Sequence, residues 1–177
     1  MIKVKAIVRD AKPEDAEAIQ KVYRETWLAT YPNEEYGITR EDIEDMFSKN
    51  DNPETLERVK ERIKNLGEHT RILVVEIDRK IVGTSRILRE ESRGKFQTCY
   101  VLPEYQGKGI GSMFWNNALK WFDVEKDIFL EVAVYNKNAI YFYEKLGFVD
   151  TGKRISDERF KLKSGVVIPE IEMVFKR

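Results

Sequence analysis

Cysteine and histidine are nearly missing from this sequence of 177 residues, which contains each of them only once, as Cys99 and His69. A single cysteine excludes an internal disulfide, and such sparing use of cysteine is typical of a reducing, cytoplasmic setting. His69 comes directly before a predicted strand, where we expect a surface position. We therefore predict a cytoplasmic protein, and the residue pattern indicates no metal site.

An excess of charge of either sign is also missing, because 31 Lys and Arg residues balance 31 Asp and Glu residues. That balance removes any global electrostatic reason for nucleic acid or an anionic membrane to bind. No apolar run approaches the ~20 residues of a membrane span, and the charged start "MIKVKAIVRDAKPED" lacks the apolar segment of a signal peptide. With 42% hydrophobic residues, we expect one globular domain over residues 1–177 that binds neither nucleic acid nor membrane.

The hydrophobic pattern predicts elements in the order β-α-α-α-β-β-β-α-β-α-β-β. Because strands cluster between helices and do not alternate strictly with them, we expect an α+β fold with a mixed, mostly antiparallel sheet. Helices are predicted over residues 11–31, 38–49 and 53–66, within "IGSMFWNNALKWF" and within "NKNAIYFYEKLGF". Strands are predicted over residues 4–9, 71–77, 81–88, 96–101, 127–134, 148–160 and 166–176.

Three glycines stand at alternate positions in "LPEYQGKGIGSMFW", as Gly107, Gly109 and Gly111, between a predicted strand and a predicted helix. Glycine lets a ligand approach the backbone, and the N–H groups at the start of a helix bind phosphate. The spacing matches neither a Walker loop, G-x-x-x-x-G-K-[ST], nor a dinucleotide fingerprint, G-x-G-x-x-G. The loop therefore predicts a phosphate-bearing ligand outside those two classes, with a tight turn that binds nothing as the alternative.

The string "YVLPEYQGKGIGSMFWNNAL" resembles motif A of the GNAT family of N-acetyltransferases, whose core is [QR]-x-x-G-x-[GA]. The resemblance implies acetyl-CoA as the cofactor. In that family the loop N–H groups hold the pyrophosphate of coenzyme A, and the preceding strand end pairs with the amides of pantetheine in the manner of an added strand. The cofactor site implied here consists of Cys99, Tyr100, Val101, Gln106, Gly107, Lys108, Gly109, Ile110, Gly111 and Ser112.

The string "LEVAVYNKNAIYFYEKLGF" resembles motif B of the same family, N-x-x-A-x-x-x-Y-x-x-x-G-F. Asn136 matches a family residue that contacts pantetheine or caps the helix, and a cap alone is the alternative. Tyr143 matches the tyrosine that protonates or hydrogen-bonds the leaving thiolate, although spacing alone favours a core tyrosine. The two motifs, with "VRDAKPEDAEAI" and "TWLATY" before them, extend the resemblance over nearly the whole chain. They imply the GNAT fold, a sheet of about seven strands flanked by helices and splayed between the fourth and fifth strands.

The general base is not evident from these motifs. Many family members carry a glutamate on the strand before the glycines, whereas "GKFQTCYV" has Lys95 and Gln97 and no carboxylate there. Glu131 matches the glutamate in the "EVRxSN" string of ribosomal-protein N-acetyltransferases, so the resemblance implies it as the best candidate. A surface or ion-paired glutamate, or a water chain in place of a base, are the alternatives. We interpret Cys99 as a small buried residue, because the family transfers the acetyl group directly.

Acidic residues are concentrated in a helical region that borders the acceptor site in the family. Their field would attract a polycation such as spermidine, spermine or a lysine-rich peptide, unless they form a solvated helix face. "TWLATYPNEEYG" resembles the polyamine-acetylating, PaiA-like branch, which implies a small amine or polyamine acceptor. The alternatives are a protein N-terminal or lysine acetyltransferase and a non-catalytic coenzyme A-binding regulator, and a homodimer is left open. The acidic residues are Glu34, Glu35, Glu41, Asp42, Glu44, Asp45, Asp51, Glu54 and Glu57.

Overall fold

A computed structural model describes residues 6–50, 52–158 and 161–177. Within these residues the chain forms seven strands and five α-helices, in the predicted order. The strands are β1 Ile7–Asp10, β2 Thr70–Ile77, β3 Lys80–Arg89, β4 Gly94–Val101, β5 Ile128–Ala133, β6 Val149–Ile155 and β7 Glu170–Phe175. The helices are α1 Ala16–Thr30, α2 Arg40–Met46, α3 Pro53–Lys64, α4 Ile110–Trp121 and α5 Lys137–Lys145.

Several element boundaries differ from prediction. Helix α2 starts later than expected because Thr39 and Asp42 form a capping box around its first turn. The last two strands are shorter than predicted. The first predicted strand, 4–9, begins among residues 1–5, which lie outside the described residues. Asp51 and the end of the strand predicted at 148–160 also lie outside them.

The seven strands form one sheet in the order β1-β2-β3-β4-β5-β7-β6. Every neighbouring pair is antiparallel except β4 and β5, which are parallel. These two strands pair only at one end, Gly94 with Ile128 and Lys95 with Phe129, and then separate. The predicted mixed sheet, splayed between its fourth and fifth strands, is therefore confirmed.

Helices α1 and α4 cover opposite faces of this sheet. Tyr100 on β4 pairs with Thr84 on β3, and its ring lies 4.8 Å from that of Tyr23 on α1. The neighbouring Gly83 faces the other way, because a Cβ built there would lie 3.1 Å from the ring of Phe114 on α4. Successive residues of a strand point to opposite faces of the sheet, whereas residues paired across two strands point to the same face. We call the two faces the α1 face and the α4 face, after the helices that cover them.

A β-bulge interrupts β4 beside the point where the two parallel strands separate. Ile87 pairs with Phe96 and Arg86 with Thr98, which leaves Gln97 as the extra residue. Such a bulge bends a strand and ends its regular pairing. We infer that the bulge helps β4 to turn away from β5 and thereby to open the sheet.

The core fills both faces of the sheet, with a smaller second cluster against the end of β5. That second cluster consists of Tyr31, Ile38, Ile43, Phe47, Ala133 and Leu162. It anchors the end of α1 beside the open part of the sheet. None of the described helices is both long enough and apolar enough to cross a bilayer.

Candidate active site

A cleft of about 900 Å³ occupies the gap between β4 and β5. Its walls come from the end of α1, the end of β4, the glycine loop, the end of β5 and the start of α5. Five segments that are distant in sequence therefore meet where the sheet is split. This position makes the cleft accessible to ligand groups from both faces of the sheet.

Every residue predicted for the site lies on this cleft except Lys108. The Lys108 ammonium instead donates a hydrogen bond to the Glu104 carbonyl at 2.8 Å and lies 5.0 Å from the centre of the Tyr105 ring. The predicted residues that line the cleft are Cys99, Tyr100, Val101, Gln106, Gly107, Gly109, Ile110, Gly111, Ser112, Glu131, Asn136 and Tyr143.

Two of the three loop glycines serve the backbone conformation and the third serves packing. Gly107 and Gly109 have φ angles of 72° and 82°, in the left-handed region that favours glycine. Gly111 lies within α4, and a Cβ built there would lie 2.7 Å from Cζ of Phe142. Gly109 is the N-cap of α4 and supplies no side-chain hydrogen bond, so the first N–H groups of the helix face the cleft without a side-chain acceptor.

The edge of β4 beyond the bulge faces the cleft with little backbone pairing. Its other edge pairs with β3 as far as Val101, while β5 pairs only with its first two residues. The Gln106 amide donates to the Val101 carbonyl at 3.0 Å, which occupies one acceptor and ties the loop to the strand. An extended ligand with amide groups can add to the remaining edge as a short strand.

Tyr143 reaches the cleft from the α4 face. It packs against Phe96 and Phe148, is 8% exposed, and its hydroxyl has no hydrogen-bond partner among the described residues. Burial, with smaller contributions from Cys99 and Tyr100, raises the pKa of Tyr143 well above its ordinary value. The phenol therefore keeps its proton at neutral pH and can donate it to a ligand.

Cys99 lies beside Tyr143 on the same face of the sheet. Burial raises the pKa of the Cys99 thiol to about 12. A nucleophilic cysteine needs its thiolate, so Cys99 is a small packing residue at neutral pH, in agreement with the interpretation from sequence. Asn136 both lines the cleft and caps α5, because its Oδ1 accepts a hydrogen bond from the Ala139 N–H at 3.2 Å.

Glu131 reaches the cleft from the opposite face. Leu130 and Val132, its neighbours on β5, are buried in the main core, whereas Glu131 shares the α1 face with Lys95, as the strand alternation predicts. The Lys95 ammonium donates to the Glu131 carboxylate at 2.9 Å. Glu131 is thus ion-paired and also part of the cleft wall. From the sequence alone, an ion-paired glutamate and a site residue are alternatives.

Comparison with known proteins identifies the family of this chain. A sequence model of the acetyltransferase (GNAT) family matches residues 17–148, which include the glycine loop, Glu131 and Tyr143. The chain belongs to the GNAT acetyltransferase family. The chain is also 30% identical over 94 residues to spermidine N(1)-acetyltransferase of Vibrio cholerae serotype O1 (strain ATCC 39315 / El Tor Inaba N16961). That match covers 49% of this chain and 53% of the relative, so it spans about half the length of either protein.

Solved structures of N-acetyltransferases share the fold over nearly the full chain. PaiA N-acetyltransferase from Thermoplasma acidophilum, in complex with coenzyme A, has a TM-score of 0.70 at 23% identity, over 98% of this chain and 99% of that one. The ribosomal-protein-S18-alanine N-acetyltransferase from Escherichia coli has a TM-score of 0.60 at 18% identity, over 97% and 93%. At these identities the likeness concerns the fold.

The described acidic residues between positions 34 and 57 do not line the cleft. Among the residues that the structure describes, Glu131 is the one carboxylate in the cleft wall. Asp42 is instead 3% exposed and accepts hydrogen bonds from Thr39 and Ser164, which hold the pKa of its carboxyl at about 2 against the opposing effect of burial. Glu41 pairs with Lys163 at 3.1 Å. These acids act in helix capping and in ion pairs.

Several cleft residues of the acceptor face were missed by the sequence reasoning. Thr26, Tyr31, Gln97 and Tyr135 all line the cleft. The hydroxyl of Thr26 and the side-chain oxygen of Gln97 are buried without a hydrogen-bond partner among the described residues. These residues lie in quoted strings but match no motif position that carries a role, because each becomes part of the site only through the packing of α1 and the bulge in β4.

Proposed function

We propose that the protein transfers the acetyl group of acetyl-CoA directly to a primary amine, and that a small polyamine such as spermidine is the acceptor. The observation that carries this proposal is the cleft through the split sheet. Tyr143 enters it from the α4 face and Glu131 from the α1 face. A proton donor and a proton acceptor thus stand on opposite sides of one cavity.

The donor half of the site fits the pyrophosphate and pantetheine of coenzyme A. The loop at Gly107 and Gly109 leaves open space where a Cβ would stand, and no side chain caps the helix that follows. The N–H groups there would hold the pyrophosphate. The free edge of β4 near Cys99, Tyr100 and Val101 would pair with pantetheine, with Asn136 at its side.

The chemistry needs a polarised carbonyl, a neutral amine and a protonated leaving group. Acetyl-CoA supplies an activated acyl thioester. A backbone N–H at the end of β4 donates a hydrogen bond to the thioester oxygen. Glu131 accepts the proton that the amine must lose, and Tyr143 donates its hydroxyl proton to the departing sulfur. Since Cys99 remains a thiol, the acetyl group passes directly to the amine.

The polyamine part of the proposal is supported by charge and by relatives. Glu131 places a carboxylate in the cleft wall, and beside its ion pair with Lys95 through Oε2 its other oxygen can accept from an ammonium group. The partial match to a spermidine acetyltransferase points to the same acceptor class. The alternative functions are acetylation of proteins and binding of coenzyme A without turnover.

The first test is release of coenzyme A thiol from acetyl-CoA with a panel of spermidine, spermine, small monoamines, amino acids, and N-terminal or lysine peptides. We expect release with the polyamines. Release only with peptides would make the protein a peptide acetyltransferase. No release with any amine, while calorimetry shows acetyl-CoA binding, would favour a coenzyme A-binding regulator or an acceptor outside the panel.

A further inference from the structure

Helix α1 ends in the wall of the cleft with backbone carbonyls that have no partner. The N–H groups that would follow the helix are missing or used elsewhere, because Pro32 has none and the Asn33 N–H donates to the Ile38 carbonyl at 2.8 Å. The carbonyls of Ala29 and Thr30 therefore accept no hydrogen bond from the described residues. Both residues line the cleft, so the C-terminal end of α1 opens into it.

The charge at this helix end is suited to a cation. A helix C-terminus carries partial negative charge and stabilises a cation near it, but the last turn of α1 contains no basic residue. Among the described residues that line the cleft, Lys137 has the one cationic side chain, and its ammonium donates to the Val134 carbonyl at 2.8 Å. The partial charge of the helix end is therefore left for a ligand to neutralise.

Thr26 adds an unpaired hydroxyl one turn before the helix end. It lies three and four residues before Ala29 and Thr30, on the same face of α1, and all three line the cleft. Thr26 is 5% exposed, and its hydroxyl has no hydrogen-bond partner among the described residues. Buried polar groups are nearly always paired. Since threonine adopts two side-chain rotamers in helices, this hydroxyl can turn towards an N–H group of a ligand.

Two tyrosines fix the distance between this helix end and the proposed reaction centre. The Tyr135 hydroxyl donates to the Tyr31 carbonyl at 3.0 Å, which ties the end of α1 to the chain that follows β5. Tyr135 comes four residues after Glu131, so their Cα atoms are at most about 14 Å apart. An aliphatic amine of moderate length can therefore reach from Glu131 to the end of α1.

We propose that the C-terminal end of α1 binds the second ammonium group of an amine whose first amino group reacts beside Glu131. The carbonyls of Ala29 and Thr30 and the hydroxyl of Thr26 accept its N–H groups. Two helix ends of opposite polarity then serve the two substrates, the start of α4 for the pyrophosphate and the end of α1 for the cation. The protein would prefer diamines and polyamines over monoamines of equal length. This inference rests on the proposed acetylation of amines.

A charge placed at position 29 tests the role of the helix end. Ala29 is exposed in the last turn of α1, and Ala29→Lys adds an ammonium group there, while Ala29→Gln is the matched neutral variant. The acceptors are octane-1,8-diamine and nonan-1-amine, in which a methyl group replaces the second amino group. Since two cations would compete for one helix end, KM for the diamine should be about tenfold higher in Ala29→Lys than in Ala29→Gln. KM for nonan-1-amine should agree within about twofold between the two variants.

Thr26→Val tests the hydroxyl with little change of shape. Loss of one hydrogen bond should raise KM for the diamine about 3- to 10-fold and leave KM for nonan-1-amine within about twofold. Thr26→Ser, which keeps a hydroxyl, should restore most of the preference. Because the hydroxyl has no partner among the described residues, Thr26→Val should not lower the free energy of unfolding in denaturant, whereas loss of a structural hydrogen bond would lower it.

Equal effects of Ala29→Lys on the two amines, or no effect on either, would overturn the inference. The wild type provides a second measurement that depends on no variant, calorimetric titration of its complex with coenzyme A. The diamine should bind at least about tenfold more tightly than nonan-1-amine, and equal affinity, or no binding of either amine, would contradict the inference. If the wild type binds the diamine more tightly but acetylates neither amine, the proposed function fails while the cation site at the end of α1 stands.

Discussion

The two sides of the cleft are built by different means. The donor side consists mainly of backbone: the free edge of β4, the left-handed turns at Gly107 and Gly109, and the N–H groups at the start of α4. The acceptor side consists of side chains from α1, β4 and β5 that are far apart in sequence. A backbone site requires a particular local conformation, whereas a side-chain site requires only that distant segments pack together.

The largest effect is expected where the two sides meet, at Tyr143. Replacing Tyr143 by Phe removes the hydroxyl that would donate a proton to the leaving sulfur and keeps the packed ring. We expect kcat to fall about 10²- to 10³-fold, the range of general acid catalysis, with acetyl-CoA affinity nearly unchanged. Steady-state kinetics and calorimetric titration measure the two quantities separately.

Tyr141→Phe is the matched control for that change. Tyr141 lies on the same helix, but its ring is exposed at the surface, so kcat should stay within about twofold of wild type. Unchanged turnover in Tyr143→Phe would remove this tyrosine from the proposed chemistry.

The second-largest effect is expected on the acceptor side, at the proposed base Glu131. Glu131→Gln removes the carboxylate that would accept the amine proton, so we expect kcat/KM for spermidine to fall about 10- to 100-fold, most strongly below the pKa of the amine. Acetyl-CoA affinity should not change, because the donor side does not include this side chain. The pH profile of kcat/KM is the measurement, and loss of cofactor binding in this variant would contradict the separation of the two sides.

A smaller effect distinguishes the glycines of the donor side. Gly111→Ala places a methyl group against the Phe142 ring, so we expect a loss of stability of about 1–3 kcal/mol. Gly109→Ala meets no neighbouring atom but strains a left-handed residue, at a cost of about 1–2 kcal/mol, and places a methyl group beside the pyrophosphate. For an equal loss of stability, measured by denaturant unfolding, acetyl-CoA affinity should therefore fall more in Gly109→Ala than in Gly111→Ala.

Combining Gly111→Ala with Phe142→Leu offers a check on the packing argument. The smaller side chain gives room to the added methyl group, so the double variant should be more stable than the sum of the single changes predicts. Additive losses would show that the contact between α4 and α5 does not explain the glycine at position 111.

The smallest effect on activity is expected in the acidic segment. Asp42→Asn weakens the α2 cap and the hydrogen bond from Ser164, so stability should fall by about 1–2 kcal/mol while KM for spermidine is unchanged. The pKa of Asp42 is lowered to about 2 from 3.8, so its stabilising effect is complete above pH 4 and is lost as the pH falls towards 2. The wild type should lose this part of its stability in that acid range, and the variant should not. A large increase in KM would instead place the acidic segment at the acceptor site.

The same contrast explains what could be predicted from the sequence. The glycine loop and α5 each lie within one continuous sequence motif, and the residue spacing in such a motif reflects the local backbone conformation. Their place on the cleft was therefore predictable. Glu131 was found by strand alternation together with a motif. Thr26 and Gln97 were not assigned to the site, because a buried hydroxyl and a bulged amide acquire meaning only from neighbours that the tertiary fold supplies. The Lys108 side chain lies off the cleft, since a motif position does not fix the direction of a long side chain, and the role predicted for its backbone N–H stays a prediction.

The bulge at Gln97 has a consequence for how such proteins diversify. In the proposed reaction, the separation of β4 from β5 gives each substrate its own entrance, so that neither needs to leave before the other arrives and both can be bound at once. Kinetics with either substrate varied should then show intersecting patterns in place of parallel ones. Since the two entrances share few residues, mutations can remodel the amine pocket while the nucleotide-bearing donor continues to bind as before.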